Sequence, residues 1–552
     1  MNTLRRFGLY SGTWMVAGKW DRRMFMLVML LHLVFMIWYN TWQSPACDES
    51  GYFSFALRWA KGNPERIGIL DDSKTPMVFP ALWSLSLKTI FPSIESNNGE
   101  GILALGRIAM YVYFYLLSFG FFCWSFQLMG PKKWAIPWLL FLADPLIISN
   151  AMLIGSDLAS ACCMFWAFYL AWQFSNTQNI RYWWLLSIIC GLAMIIKISM
   201  IIIIPMVALL LLAKSLSTHH KYFNISPAKW VAKWISLFAV CLLLINAGYQ
   251  FSQTGKPLKN YEVRSPQLKN FQINYPILSS IPVPVPVHYI SSYDLLLRNA
   301  AVGGGHTDEN SYHGVFLNGQ YKKKGGFKSY YLVNFFYKNT PMLIISLLGV
   351  VLLALSNKNH LQLRLGKWAF IWLPPIGFLL WISLANPFQI GIRHALPAWP
   401  FLYMLTGPFL VWVAGRFSTF LIFAFFLQFA EIAWQLPNLT AYTPIWMQPK
   451  KDLNLRLNDS NISYCNDAVI YEYFLNQNPE YHTPTEQPQP GKFALRLTDC
   501  ISYAPANGPT SCWLLQHFTP ADHYKTTILL FEISEQEIKE LGINNQLKKR
   551  EP

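Results

Sequence analysis

Long apolar runs, separated by short polar segments, occupy most of the first 436 positions of the chain. Most runs approach the roughly 20 residues that an α-helix needs to cross the hydrocarbon core of a bilayer. The two runs that flank Lys197 could form two short helices or one broken helix. We predict about eleven spans, at residues 24–42, 104–128, 134–150, 155–174, 181–197, 199–214, 230–250, 341–356, 367–385, 395–414 and 417–435.

Basic residues indicate the orientation of these spans. Lysines and arginines precede the first span, which places the N-terminus in the cytoplasm. The first span lacks a small-residue cleavage site, so we expect it to be retained rather than removed as a signal peptide. The short inner loops are rich in lysine and arginine, whereas the short outer turns carry only Arg393. Three large pieces then lie outside: residues 43–103, residues 251–340 and the tail from about 437.

The outer pieces have patterns of their own. In the first, SGYFSFALRWAKG and PMVFPALWSLSLKTIF have the apolar spacing of two amphipathic interfacial helices. In the second, PILSSIPVPVPVHY is typical of an extended, proline-rich stretch. In the tail, FALRLT, CWLLQHF and TTILLFEIS predict strands between turn residues. We therefore predict a transmembrane domain at 1–436 and a small α+β domain at 437–552.

Composition supports a membrane protein. Of the 552 residues, 53% are hydrophobic and only 13% are charged, against about 25% in soluble domains. The charge deficit excludes a set of soluble domains, and the hydrophobicity excludes a disordered chain. The net charge of +16 fits inner loops and anionic headgroups better than nucleic acid. The cysteines show no metal-binding spacing, and a disulfide between Cys500 and Cys512 is left open.

Ionisable residues gather at the outer ends of the predicted spans. Ionisable groups near a membrane are costly, so we treat this set as a functional site. For each residue a structural role is the alternative: helix capping for Asp48 and Asp157, and snorkelling for Lys197 and Arg393. The set consists of Asp48 and Glu49 after the first span, Asp71, Asp72 and Lys74 after the first amphipathic helix, Asp157, Lys197, Arg393 and His394.

A sugar linked to a lipid phosphate is a substrate that this set of ionisable residues could bind. Its phosphate lies at headgroup depth, where cations could stabilise a leaving phosphate. A carboxylate could take the proton of an acceptor hydroxyl. The sequence contains no glycine-rich phosphate loop, serine-nucleophile elbow or zinc motif that would indicate another chemistry.

Several motifs resemble the GT-C glycosyltransferases, in particular the polyprenyl/dolichyl-phosphate-mannose protein mannosyltransferases (glycosyltransferase family 39) and their bacterial relatives. IGIRHALPAWPFLYMLTG resembles the family's IGYRHLLPVYPFLFILAG. DES at 48–50 matches the family's Asp-Glu after the first span, and GLAMIIKIS resembles its GLALLTK helix. KTPM departs from the family's KPP or HPP, and NDSNISYCND has lost the Trp, Gly and Gln of its DSNLDWGQD.

The resemblance implies a GT-C fold and an inverting transfer of a hexose or pentose from a polyprenyl-phosphate carrier. In that scheme Asp48 is the general base, with Glu49 as a second candidate, and Asp157 positions the acceptor or the base. Lys74, Lys197 and Arg393 bind the carrier phosphate, supported by His394. The acceptor is a protein, lipid or glycan, no nucleic acid is involved, and a divalent cation is left open. The location implied is a bacterial inner membrane, with the active site and tail on the periplasmic side.

The residue pattern has three alternative interpretations. A transporter or flippase would carry ionisable residues near the bilayer midplane and show repeated halves, and the sequence shows neither. A lipid-linked polysaccharide polymerase or ligase would leave the paired carboxylates at Asp48 and Glu49 unexplained. A catalytically inactive member of the family would act as a binding scaffold.

Overall fold

A computed structural model describes residues 11–46, 48–63, 74–76, 79–90, 100–217, 226–302, 315–318, 320–322, 325–356, 368–385, 389–447, 466–485, 487–500 and 513–540. Helices dominate up to residue 302. They are α1 (Ser11–Val16), α2 (Lys19–Asn40), α3 (Glu49–Ala60), α4 (Phe79–Ile90), α5 (Glu100–Met129), α6 (Ala135–Leu142), α7 (Pro145–Asn150), α8 (Ser156–Thr177), α9 (Ile180–Ile196), α10 (Ile203–Ser217), α11 (Pro227–Gly248), α12 (Pro266–Asn274), α13 (Pro276–Ser279) and α14 (Val287–Val302).

The rest of the chain adds helices and a sheet. A two-stranded hairpin, β1 (Val315–Leu317) and β2 (Gln320–Lys322), precedes the last membrane helices. These are α15 (Tyr330–Lys338), α16 (Pro341–Ser356), α17 (Ala369–Leu384), α18 (Trp399–Arg416) and α19 (Ser418–Gln435). The tail contains α20 (Ala468–Gln477), β3 (Tyr481–His482), β4 (Gly491–Arg496), α21 (Leu497–Cys500), α22 (Trp513–His517), β5 (Asp522–Tyr524), β6 (Ile528–Ile533) and α23 (Glu535–Glu540).

The chain is a polytopic, helical membrane protein. Among the described residues, seven helices are long and apolar enough to cross a membrane, at Lys19–Asn40, Gly101–Met129, Ser156–Thr177, Ile198–Leu216, Pro227–Gly248, Ile392–Arg416 and Ser418–Gln435. The pair α15 and α16, bent by 119°, would add an eighth, and α9 and α17 are shorter apolar helices. All eleven predicted segments contain helix, but 134–150 is divided into α6 and α7. The count of eleven crossings stays a prediction.

Two helical segments flank Lys197. α9 ends at Ile196, Lys197 is extended (φ −152°, ψ 121°), and a 3-10 turn over Ile198–Ile202 leads into α10. Lys197 caps both segments, because its N–H donates to the carbonyl of Ala193 and its carbonyl accepts from the N–H of Met200, each at 2.9 Å. The interruption predicted from the sequence is therefore present, and the residues from Ile198 to Leu216 form a candidate span of their own.

α8 is the central helix. Its side chains are buried from Ser156 to Ser175, and it packs against α5 and α9. An aromatic layer surrounds it; Phe165, for example, stacks on Phe121 and contacts Phe401 of α18. Because α8 begins with Ser156 and Asp157, its packed position fixes Asp157 at one end of the bundle.

The first outer piece confirms both amphipathic helices, as α3 and α4. In the second, residues 276–289 are not extended throughout, because α13 covers Pro276–Ser279 and α14 begins at Val287. The described cysteines of the spans, Cys123, Cys162, Cys163, Cys190 and Cys241, are buried and free, as small core residues would be. The Cys500–Cys512 question lies outside the described side chains.

The tail forms an α+β unit. Its sheet has the order β3-β4-β6-β5, with β3 parallel to β4 and the other pairs antiparallel, and Ile470 and Phe474 of α20 pack on it. The prediction of a strand at CWLLQHF is wrong, because α22 is helical there. The helix buries Trp513 and Leu514, and Trp513 contacts Phe493 of β4 and Phe518. This packing outweighs the strand pattern of a short segment.

Candidate functional site

Five charged side chains form an alternating line across one end of the bundle, the end that the lysine and arginine distribution predicts to lie outside. Their order is Lys74, Asp48, Arg393, Asp157 and Lys197. Lys74 Nζ lies 3.2 Å from Asp48 Oδ1, and Arg393 contacts the other oxygen, Oδ2, at 2.8 Å. Arg393 also lies 4.0 Å from Asp157 Oδ2, whose Oδ1 is 2.6 Å from Lys197 Nζ. Three cations and two carboxylates leave the line with one net positive charge. We call these five residues the charge line.

Asp48 is the most accessible member of the charge line. Its side chain is 31% exposed, whereas those of Arg393 and Lys74 are 7% and 10% exposed. Asp48 occupies the N-cap position of α3, but its side chain makes no capping hydrogen bond. Burial alone would raise the pKa of Asp48, but the charges of Arg393 and Lys74 outweigh it and hold the pKa well below its usual range. The carboxylate is therefore ionised and faces cations rather than the helix it precedes.

Asp157 and Lys197 form the second pair of the line. Asp157 lies in the first turn of α8, after a Gly155 N-cap, and Lys197 occupies the break after α9. Their side chains are 12% and 15% exposed. Such a pair is held in place by its surroundings, because separating two largely buried charges is costly.

Arg393 connects the two pairs from a short 3-10 segment, Ile392–Ala398, that leads into α18. The preceding turn is tied to residues 325–327, because Gln389 accepts from the backbone N–H of Phe327 (2.8 Å) and donates to its carbonyl (2.9 Å). His394 is half-buried next to Arg393 and interacts electrostatically with Asp157, Lys197 and Asp48.

Lys74 is positioned by its neighbours. The Thr75 hydroxyl donates to the carbonyl of Ile196 at 2.7 Å, which ties this segment to the end of α9 beside Lys197. The Lys74 ammonium lies 4.5 Å from the centre of the Tyr52 ring, within cation–π range. Gly51 leaves space for the lysine, since a Cβ there would lie 2.9 Å from Lys74 Cε.

The structure does not bring Glu49 into the charge line. Its side chain is fully buried and accepts from Arg107, with Arg107 Nε 2.9 Å from Oε1 and a second contact to Oε2. It also accepts from the backbone N–H groups of Ala46 and Ile154, both at 2.9 Å. Arg107 donates in addition to the carbonyls of Gln43 and Ser44. Glu49 therefore fastens the segment that carries Asp48 to α5 and to the turn before α8.

Sequence reasoning missed Arg107 and Tyr52. Arg107 had a signal, because a lone arginine within the apolar run of 104–128 needs a buried partner. Tyr52 lies four residues after Asp48, one helical turn along α3. Asp71 and Asp72 lie outside the described residues. Within the described ranges, no group of three or more His, Cys, Asp or Glu residues is placed to hold a metal ion.

An apolar groove of about 520 Å³ lies along the helical bundle. Its lining includes Pro76, two residues after Lys74, and Ile196, the residue before Lys197. Most of the remaining lining belongs to α5, α8, α9 and α11, with Tyr113, Trp166, Ile189 and Gly248 among its residues. The groove therefore reaches chain neighbours of both lysines of the charge line.

No family model matches this chain, and no curated protein matches it in sequence. Two similar solved structures are those of ArnT from Cupriavidus metallidurans. The apo structure has a TM-score of 0.46 at 14% identity, over 75% of this chain and 64% of that one. The structure bound to undecaprenyl phosphate has a TM-score of 0.46 at 13% identity, over 82% and 72%. The chain thus spans about 64% of the length of the first of these proteins.

Proposed function

We propose that this protein is a GT-C type glycosyltransferase that moves a sugar from a polyprenyl-phosphate carrier to an acceptor hydroxyl. The observation that carries the proposal is the charge line, together with an apolar groove whose lining includes the chain neighbours Pro76 and Ile196 of its two lysines. The sequence motifs around Asp48, Lys197 and Arg393 resemble those of the family, and the contiguous ion pairs among these residues support a shared role.

The donor would use both parts of this arrangement. Its phosphodiester carries one negative charge, which complements the single net positive charge of the line. Its prenyl chain is apolar and fits the groove that Pro76 and Ile196 open beside the cations. The ArnT complex contains undecaprenyl phosphate, and the proposal gives this chain a donor of the same chemical class.

The reaction proposed is a single displacement with inversion at the anomeric carbon. The acceptor oxygen forms a bond to that carbon while the bond to the phosphate oxygen breaks. The electron pair of the broken bond stays with the polyprenyl phosphate, whose new charge Arg393 and Lys74 would stabilise. The acceptor proton passes to Asp48, which is ionised and the most exposed carboxylate of the line.

Donor binding would also activate Asp48. In the free protein Arg393 and Lys74 hold the carboxylate as ion-pair partners, which makes it a weak base. A phosphate that binds these cations competes with Asp48 for them. The carboxylate then loses part of its stabilisation and becomes more basic when the acceptor hydroxyl is in place.

The other predicted residues receive supporting roles in this proposal. Asp157 holds Lys197 and shares Arg393, so it positions the cations. Lys197 would contact the phosphate from the far side, and His394 would support Arg393. Glu49, buried against Arg107, would hold the Asp48 segment in place. The transporter alternative expects charges along a path through the bundle, whereas the charge line lies at helix ends.

The orientation is part of the proposal as well. We infer that the charge line and the tail lie on the periplasmic side of a bacterial inner membrane, as the lysine and arginine distribution predicts. A protein, lipid or glycan could present the acceptor hydroxyl there.

Asp48→Asn tests the proposal directly. The change keeps the size and a hydrogen-bonding carbonyl but removes the basic oxygen. We expect turnover by the purified protein in nanodiscs to fall by about 10²–10⁴-fold, the usual contribution of a general base. Donor binding, measured by titration with a polyprenyl-phosphate sugar, should persist because the cations remain.

The control is Glu537→Gln. Glu537 is an exposed carboxylate of α23 in the tail, where it accepts from the backbone N–H and the hydroxyl of Ser534. Its variant should keep its turnover per folded molecule. Near-normal transfer by the Asp48→Asn protein would exclude Asp48 as the base, and absence of any transfer by the wild type with a panel of carrier-linked sugars would contradict the function.

A further inference from the structure

An apolar surface projects from the outer loop that follows α11. It is formed by α12, α13 and the turn after them, residues 266–281, which we call the outer knuckle. Its apolar side chains are far more exposed than is usual outside a membrane. The exposed fractions are 74% for Ile273, 53% for Tyr275, 82% for Ile277, 51% for Leu278 and 55% for Ile281.

The outer knuckle is held in this position by hydrogen bonds at its base. Gln272 donates to the carbonyls of Leu258 (2.7 Å) and Tyr261 (3.0 Å). The backbone N–H groups of Arg264 and Ser265 donate to Asp294 of α14. These hydrogen bonds fix the base of the loop to residues 258–261 and to α14. The apolar side chains of the outer knuckle stay exposed in this fixed arrangement.

The ends of the loop are tied together at the end of α11. The backbone N–H of Gly255 donates to the carbonyl of Val283, so the segment between them leaves and returns at one point. Asn246, in the last turn of α11, donates to the carbonyl of Pro284 at 2.9 Å. The excursion therefore begins and ends at the outer end of a helix long and apolar enough to cross the membrane.

The apolar surface continues from the membrane-facing side of α11. Along that helix Val231, Ile235, Phe238 and Leu243 are exposed at 50–63%, as side chains in contact with lipid would be. Phe251, just after the helix, is 56% exposed and bridges this side to the loop. The outer knuckle thus extends a surface that already meets the bilayer.

Charge favours an anionic lipid surface. Lys256, Lys259, Arg264 and Lys269 lie in residues 251–281 beside a single acidic residue, Glu262. Lys259, Arg264 and Lys269 are exposed. Apolar side chains flanked by basic ones are typical of segments that lie in the headgroup region of anionic membranes.

We propose that the outer knuckle inserts Ile273, Tyr275, Ile277, Leu278 and Ile281 into the adjacent leaflet and that Lys269, with Lys259 before it, binds anionic phospholipid. This interaction does not depend on the proposed glycosyl transfer. It would fix the outer end of α11, whose Gly248 lines the apolar groove and whose carbonyl there accepts from Trp59 at 2.7 Å. The outer knuckle would therefore stabilise one wall of the groove against the surrounding lipid.

A fluorescent residue at position 277 tests the proposal in the full-length protein. A dansyl amino acid replaces Ile277, and the protein is placed in nanodiscs that contain spin-labelled lipid quenchers. Phe238, at the middle of α11, and Gln536, an exposed residue of α23, are replaced in the same way as membrane and solvent references. We expect position 277 to lose most of its fluorescence with a quencher near the headgroup and less with a deep quencher. Position 238 should show the opposite order.

Lipid composition supplies the second readout. Replacing neutral lipid by anionic lipid should shift the emission at position 277 to the blue, and Lys259→Gln with Lys269→Gln should remove that dependence. Quenching at position 277 as weak as at position 536 would overturn the proposal. A blue emission without lipid quenching, together with a dimeric mass, would instead assign the surface to a second copy of the chain and would also overturn it.

Discussion

Asp48 and Glu49 are adjacent carboxylates with opposite surroundings. Asp48 is 31% exposed and faces two cations, Lys74 and Arg393. Glu49 is fully buried, and a guanidinium and two backbone N–H groups surround its oxygens. One carboxylate can exchange its partners for a ligand, whereas the other cannot without opening the fold. Two neighbours of the same charge can thus serve recognition and structure separately.

The sharpest test of this contrast is Glu49→Gln. The amide cannot neutralise Arg107, which is 4% exposed. Removing one partner of a buried ion pair typically costs about 3–5 kcal/mol. We expect a large loss of thermal stability and of folded protein in the membrane, measured by unfolding of the purified protein in detergent.

Asp48→Asn is the matched change one residue earlier, and it should lower the unfolding temperature less than Glu49→Gln does, because Asp48 is 31% exposed and its cationic partners Lys74 and Arg393 can regain part of their hydration. The folded fraction of Glu49→Gln should retain more turnover per molecule than Asp48→Asn. A Glu49→Gln protein that is as stable as the wild type but inactive would contradict this assignment. Glu49 would then be the functional carboxylate and Asp48 the structural one.

A smaller effect is expected from Arg393→Lys. Arginine reaches Asp48 with one nitrogen and approaches Asp157 with the other, a geometry that a lysine ammonium cannot reproduce. We expect donor affinity to fall about tenfold, the equivalent of one lost hydrogen bond to a charged group. Titration with the lipid-linked sugar measures it.

Arg416→Lys is the control for that change. Arg416 lies at the other end of α18 over the Trp412 ring, and its replacement should not alter donor affinity. Equal donor affinity of Arg393→Lys and the wild type would reduce Arg393 to a structural anchor of its segment.

The mildest change is Gly51→Ala. The added methyl group would lie 2.9 Å from Lys74 Cε, so the flexible lysine must shift away from Asp48. We expect the rate at low donor concentration to fall about 2–5-fold, which corresponds to less than about 1 kcal/mol. Gly415→Ala, where a Cβ meets nothing within 4 Å, should behave as the wild type. A Gly51→Ala rate equal to that of Gly415→Ala would remove Lys74 from donor binding.

Periodicity and charge in the sequence predicted much of the fold and the grouping of the site. Apolar runs predicted helices because a bilayer imposes one length and one composition on them. The outer ends of the spans predicted which ionisable residues would meet, as Asp48, Asp157, Lys197 and Arg393 do.

The sequence does not indicate which ion-pair partner each ionisable residue has. Nothing in the pair Asp48-Glu49 indicates which carboxylate faces Arg107, because that choice depends on how α3 packs against α5. The helix over Trp513–His517 was missed because a run of five to seven apolar residues fits either a strand or a helix until its packing is known.

The two ion pairs of Asp48 and Glu49 also differ in when the chain can form them. Arg107 follows Glu49 by 58 residues, so this contact can form after the second long helix has been made. Arg393 follows Asp48 by 345 residues. During synthesis Asp48 therefore lacks its partner Arg393 until most of the bundle has been made, whereas Glu49 can already be paired with Arg107. The order of biosynthesis thus keeps the charge line incomplete until the bundle is nearly complete.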